Sequence, residues 1–589
     1  PSRTELRADR MELAAIGQLA SHLPLGQTAH EALHAHAPRG IVHDLVARWN
    51  EKDGRLASYE ARGRVTGLAI SAAEPVAPRR LGVPGVHGLD VDFDLTQAGG
   101  QANLSMTRGT LTFPGLFDDP TLPLDRLSAE AQWRIAGEQV SVDLRKLRFA
   151  NADAQGEAQL RWRTADPAKS RARSRFPGVL DLDGQISRAD AARTWRYLPS
   201  VIPEAARRYV RESVTQAEAR DGVFKVRGDL YDFPFAKPDE GLFRIAARFQ
   251  NATYQFAPKT FLPDGSREWF ALNKLSGQAV FEGVGMHIRD VHGAVPVMPG
   301  VQIARGEARI DEFHHPVVQV SAEARGPLAE FLGTLQRTPL ADWTQHQLDQ
   351  ASVSGSGDLR LALQLPIGAL EQSRVNGTLA LTGADFRLTP DLPAVQRVRG
   401  QLQFSESGFA LAGAQAHVFG GDVRLDTALR MHGTPGGAEP VFTLKAQGTA
   451  NAEALRETSE LGALTQVVKH TRGSAPYTLD LSVRRSVTEV QLQSPLQGMA
   501  IELPEPFAKL PEASLPLVMH SRWVRGPTAA ASLEHWQFEL GSAAQPLARG
   551  QWERDVSAAR ARLLRGSFQL GQAVSAPEPL PAQGVVAQA

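Results

Sequence analysis

Along most of its length the chain alternates apolar and polar residues with a period of two. Leu89, Val91, Phe93 and Leu95 interleave with Asp90, Asp92 and Asp94, as in a strand with one apolar and one wetted face. Leu127, Ala129, Ala131, Trp133 and Ile135 repeat the pattern, which resumes after a turn at Gly137 with Val140, Val142 and Leu144. Phe243, Ile245, Ala247 and Phe249 form another such run. Val423, Leu425 and Leu429 stand against Asp422, Arg424 and Asp426, and Tyr477, Leu479, Leu481 and Val483 follow the same rule. The pattern predicts a mainly β protein: an elongated, twisted antiparallel sheet with one face that avoids water, and a few short helices.

Helical periodicity is scarce. Residues 11–23 place Met11, Ile16, Leu19 and Leu23 on one face. Ser200 is positioned to cap a helix from about Ile202, with Pro203 in its first turn and Ile202, Ala206, Tyr209 and Val210 as its stripe. Leu328, Phe331, Leu332 and Leu335 follow Pro327, and 452–469 carries Leu455, Leu461, Leu464 and Val467. Helices this far apart punctuate a sheet and build no βαβ rhythm. They mark subregions 1–190, 191–326, 327–451 and 452–574 of one continuous body, with a flexible tail expected at 575–589. A divergent repeat supports that organisation: Val86 to Phe93, Leu275 to Phe281, Val375 to Leu381 and Val398 to Phe404 each place a glycine early in a strand. Glycine there reads as a point where the strand bends or turns.

Composition narrows the function. The 589 residues carry 64 Lys+Arg and 64 Asp+Glu, which excludes a nucleic-acid binder working through bulk positive charge. Cysteine is absent, so disulfides, thiolate metal sites and cysteine nucleophiles are excluded together. No run of eighteen apolar residues is present to span a membrane as a helix. His314-His315 would point to opposite sides of a strand, and His34 and His36 lack an evident third ligand, so neither pair makes a metal site. No nucleophile elbow, zinc-protease helix or phosphate loop occurs, and Gly420-Gly421 lies between two strands with no helix to receive an anion. The cluster Arg193, Trp195, Arg196 and Tyr197 reads best as a packed helix capping the sheet. The chain therefore reads as a non-enzyme without cofactor or metal.

What remains is the apolar face. Either the sheet folds over as a sandwich and buries it, or it curves into an open trough lined by Leu, Phe, Val and Ala. A trough needs apolar material from outside, and acyl chains are the natural candidate. Periodicity does not choose between the two.

A resemblance enters at Trp195-Arg196-Tyr197-Leu198-Pro199, Arg207-Arg208-Tyr209-Val210 and Ala219-Arg220-Asp221-Gly222. It is most specific at Val226-Arg227-Gly228-Asp229-Leu230-Tyr231-Asp232-Phe233-Pro234-Phe235. Gly241-Leu242-Phe243, Trp269-Phe270-Ala271-Leu272, Ser494-Pro495-Leu496-Gln497-Gly498 and Leu503 to Lys509 extend it. In these stretches the chain resembles the YhdP proteins of the AsmA-like superfamily of Gram-negative bacteria. The resemblance implies a periplasmic bridge-like lipid transfer protein that moves phospholipids between inner and outer membrane and supports the outer-membrane barrier. It implies anchoring to the inner membrane through an N-terminal helix missing from this stretch, phospholipid acyl chains as cargo, and outer-membrane or envelope proteins as further partners. Under that reading the groove is lined by Leu89, Val91, Phe93, Leu95, Trp133, Phe243, Ile245, Phe249, Leu402, Phe404, Val423, Leu425, Leu429, Leu479 and Leu481. The alternative is a structural or envelope-assembly protein whose β core is closed and dry.

Overall fold

Strict alternation segregates side chains only if the backbone is extended, and it is extended over most of the described chain. The computed structural model describes residues 2–15, 38–52, 55–75, 82–200, 202–262, 265, 268–343, 348–388, 393–430, 441–457, 468–484, 487–524, 533–542, 545–555, 562–571 and 579–588. They divide into two compact units, residues 1–296 with 306–317 and residues 297–305 with 318–589.

In the first unit every strand from Arg39–Lys52 to Leu272–Glu282 pairs antiparallel with its predecessor and its successor. The second unit repeats this meander from Ser356–Pro366 to Arg562–Leu570, interrupted by the loop around Met499–Ile501. The first strand, Ser2–Glu12, pairs with Arg39–Lys52 and has no second strand partner among the described residues.

Near one end of the strands runs a line of bulges. Asp44, Gly67, Gly88, Arg108, Lys146, Asp221, Asn251, Lys274 and Asp290 all have positive φ in the first unit, as do Arg397 and Gly413 in the second. A bulge inserts one residue, leaves its amide without a ladder partner and bends the strand. Three of these amides find the same substitute. Gly67 N–H donates to Asp90 Oδ1 at 2.8 Å, Arg397 N–H to Asp385 Oδ1 at 2.8 Å, and Gly413 N–H to Asp426 Oδ1 at 2.6 Å. Alternation assigns Asp90 and Asp426 to water, whereas each also holds the bend of the neighbouring strand. Buried residues near the bulges include Val42, Met106, Leu124 and Leu275 in one unit, and Ala384, Val398, Ala414 and Val418 in the other.

Helix α1, Glu204–Ser213, begins after Pro203 with no side-chain cap. Ser200, expected as the cap, instead donates its hydroxyl to Gly115 O at 2.5 Å. Polar contacts dock α1. Arg207 grips Asp118 through two bonds of 2.8 Å, and Tyr209 shares a 2.8 Å hydroxyl contact with Tyr254. Burial pushes the Tyr254 phenol well above its ordinary range. The Arg193–Tyr197 cluster is a short 3-10 turn in which Arg196 bridges Asp153 and Asp119 at 2.8 Å each.

Helix α2, Leu328–Arg337, behaves differently. Leu328 is 2% exposed and anchors a cluster with Val398, Leu411, Ala414, Val423, Leu425 and Tyr477, against which Phe331 packs. Helices α3, Leu340–Trp343, and α4, Ala452–Glu457, are short. The first expected helix starts two residues later than its periodicity places it, with residues 13–15 helical. Met11 and Glu12 belong to a strand, while Ile16, Leu19 and Leu23 lie outside the described residues, as do Leu461, Leu464, Val467, His34 and His36. Within the tail expected to be flexible, Gly584–Gln588 forms a strand parallel to Arg562–Leu570. Val585-Val586 suits a ladder. Pro577 lies outside the described residues.

Candidate functional site

Register decides whether apolar residues of neighbouring strands meet, because a slip of one residue would send them to opposite faces. Here they meet. Gly63 lies opposite Phe93, Phe93 opposite Ala102, and Ala102 opposite Ala131. The row continues through Leu144, Leu160, Leu182 and Val226 to Phe243. Nine strands contribute and no polar residue interrupts it. A second row runs beside it from Leu95 through Gly100, Trp133, Val142 and Trp162 to Leu180. Leu89 faces Leu68 and Met106, and Val91 faces Val65 and Leu104. Ile245 stands between Phe224 and Phe281, and Phe249 between Ala219 and Gly277.

The second unit has the same construction. Phe404 lies between Gly377 and Phe409, and Leu429 between Phe409 and Phe442. Leu402 is flanked by Leu379 and Leu411, Leu481 by Leu444 and Val490, and Leu479 by Ala446 and Leu492. Leu425 lies between Ala414 and Ala446, and Val423 between Ala416 and Gly448. Register thus sets these residues opposite mostly apolar neighbours within their own units. They are not equivalent, however. Val423 at 3% and Leu425 at 8% exposure are sealed inside the cluster under α2, whereas Phe404, Leu429 and Leu481 keep partial access to solvent. Phe93, Leu144, Leu160, Leu182, Val226 and Phe243 keep it too. A closed, dry sandwich would bury such residues fully.

Glycine has a second role that the alternation did not reveal. Phe93 faces Gly63, Phe149 faces Gly156, Phe224 faces Gly184, Phe249 faces Gly277, Phe404 faces Gly377 and Phe538 faces Gly550. A Cβ on Gly184 would lie 2.0 Å from the Phe224 ring, and one on Gly377 2.0 Å from that of Phe404. The rings rest across the bare glycine backbone, the cross-strand aromatic rescue of a glycine. Gly277 and Gly377 are thus beds for aromatic rings, while Gly88 and Gly413, with φ of 83° and 61°, are the true bends. The available signal was a mid-strand glycine at an apolar position of the alternation, as Gly184 is between Leu182 and Ile186.

The opposite face is charged and paired. Arg161 meets Asp143 at 3.1 Å, Arg227 meets Asp181 at 2.9 Å and Asp183 at 2.8 Å, and Arg244 meets Glu282 at 2.9 Å. Hydrogen bonds from Arg227 and then Lys225 hold the Asp183 carboxyl below its ordinary range. Exposed pairs of this kind add little stability, and their effect is to keep this face in water.

The segment Asp229 to Phe235 closes one end of the first floor. Phe235 has φ of 61° and is 3% exposed, its ring filling the space a Cβ would need on Gly228 and Gly241. Phe233 meets Phe243 edge to face at 5.1 Å, and Arg171 holds Asp232 at 2.7 Å. In the loop after Ser494, Lys509 Nζ donates to Met499 O at 2.7 Å and Leu510 O at 3.0 Å, and burial lowers its pKa.

Among the described residues no group of three or more His, Asp or Glu side chains could hold a metal ion, and the chain has no cysteine. Among the described residues no helix is long and apolar enough to cross a membrane.

In each unit an antiparallel sheet carries one apolar, partly exposed face and one ion-paired face, which defines a β protein organised around an apolar surface. The sequence pattern of the YhdP protein family matches residues 1–589, and the chain belongs to that family. It is 23% identical over 333 residues to the intermembrane phospholipid transporter YhdP of Escherichia coli (strain K12), a match covering 55% of this chain and 24% of that relative. The matched stretch thus spans about a quarter of the curated relative's length. No solved structure matches the chain.

Proposed function

We propose that this chain is a periplasmic part of an inner-membrane-anchored lipid-transfer protein that carries phospholipids between inner and outer membrane and so supports the outer-membrane barrier. The observation that carries the reading is the partly exposed floor, apolar across nine consecutive strands from Gly63 to Phe243. Acyl chains slide along such a surface at nearly constant free energy, avoiding ~0.8 kcal/mol for each methylene exposed to water. The headgroup stays at the wet mouth, and no bond is made or broken. The family relationship to an intermembrane phospholipid transporter supports the same cargo.

The test places a photo-crosslinking residue at Phe404 or at Leu160 in the full-length protein in cells, with Arg424 on the charged face as control. Phospholipid adducts at the two floor positions and none at Arg424 are expected. Equal labelling at all three, or none at the floor, would overturn the proposal.

A further inference from the structure

The apolar floor of the second unit ends in an aromatic platform with a charged pair in it. Leu492 lies opposite Met519 and Met519 opposite Phe538, while Val490 leads through Ser521 to Trp536 and Trp552. The Trp536 and Trp552 rings stack at 5.8 Å and 6°, and Trp552 stacks on Phe568 at 6.0 Å. Two residues further along the strands, Trp523 lies opposite Glu534, and Glu534 opposite Arg554. Register puts both charges on the floor side. Arg554 Nε donates to Glu534, whose carboxylate also accepts from Ser521 Oγ at 3.3 Å, and the Arg554 guanidinium sits 6.0 Å from the Trp536 ring centre. The Glu534 side chain is only 14% exposed.

Two indole donors in this cluster, Trp523 Nε1 and Trp536 Nε1, are out of water with no acceptor among the described residues. A buried N–H without a partner is unfavourable, and a charged pair in an apolar floor is unfavourable as well. Both costs fall if a ligand supplies a phosphate oxygen to the guanidinium and an indole N–H, and an ammonium to the carboxylate and the aromatic faces. Acyl chains of the same ligand would lie on Phe538, Phe568 and Leu492. We infer that this platform selects the headgroup of a phospholipid carrying both a phosphate and a primary amine, as phosphatidylethanolamine does. The inference rests on the lipid path proposed above. An anionic headgroup without an amine leaves Glu534 facing a second negative charge, so the pair discriminates against it.

The protein is incubated with vesicles of equal phosphatidylethanolamine and phosphatidylglycerol and repurified, and bound lipid is measured by mass spectrometry. The intact chain is expected to retain mostly the amine lipid. Glu534→Gln, with an unchanged melting midpoint, should lose about tenfold of that preference at similar total lipid. Arg554→Lys, which keeps the charge, should retain more of it than Arg554→Gln. An excess of soluble glycerophosphoethanolamine should fail to displace the bound lipid, and displacement would mean that the cluster takes a free phosphoester. Lipid bound without headgroup preference, or an unaltered ratio in folded Glu534→Gln, would overturn the headgroup assignment while leaving the lipid path standing. No bound lipid of either kind would overturn the path and the assignment together.

Discussion

Leu425 and Leu429 lie four residues apart on one strand and on one face, yet their surroundings differ. Leu425 is 8% exposed between Ala414 and Ala446, inside the cluster anchored by Leu328 of α2. Leu429 lies between Phe409 and Phe442 and stays partly open. The bulge at Gly413 separates these two environments by bending the strand that flanks both residues. One side of the bend becomes an ordinary core, and the other stays an unfilled surface. The helices reinforce the contrast. Helix α2 buries Leu328 in the core, whereas the buried residue of α1 is Ser213, and α1 holds on through Arg207 and Tyr209. Packing stability and the candidate binding surface therefore occupy different parts of the same apolar face.

The sharpest way to break this comparison is to put one charge on each side of the bend. Leu425→Asp should destabilise the chain by about 4 kcal/mol, because its carboxylate enters a sealed cluster with no partner. Leu429→Asp should cost about 1 kcal/mol, because its carboxylate can stay wet, yet it should abolish lipid crosslinking nearby. Denaturant unfolding of both variants measures the difference, and equal losses would erase the distinction between core and floor. Gly377→Val tests the aromatic bed. Its Cβ would lie 2.0 Å from the Phe404 ring, so a loss of about 3 kcal/mol is expected, largely recovered when Phe404→Ala is added.

The core side also predicts a pH dependence. Burial pushes the Tyr477 phenol up to about 12, so the folded state favours its neutral form. That stabilisation is complete below the unfolded value near 10 and is lost as pH rises through about 12. Relative to Tyr477→Phe, the parent chain should lose about 2 kcal/mol between pH 9 and 12.5, and parallel melting curves would contradict this. The smallest effect concerns the bend itself. Asp426→Ala removes the acceptor of the Gly413 amide and should cost about 1 kcal/mol. Asp480→Ala, which breaks only an exposed 3.8 Å pair with Lys445, should be nearly neutral in the same melts.

Periodicity was a reliable guide to the side of the sheet. Phe243, Ile245 and Phe249 share a face, and Arg248 lies on the other because a pleated strand admits no other arrangement. The absence of cysteine was equally plain at the level of composition. Periodicity carries no information about depth. It treated Val423 and Leu425 as equal to Phe404, because burial depends on a bend at Gly413 and a helix that joins the chain about a hundred residues earlier. It also stopped short of the Trp536, Trp552 and Phe568 stack, whose members come from three different strands.

The chain's own alternation thus determined strands, faces and the apolar character of one of them, since these follow from local backbone geometry repeated every two residues. Tertiary structure alone decided which apolar residues are sealed and which are open, which glycines bend the strand and which carry a ring, and where a charge enters the floor. Gly184 beneath Phe224 and Glu534 beside Arg554 exist as pairs only because register brings distant segments side by side. Register is set by the cooperative pairing of whole strands, and no local window of the sequence contains it.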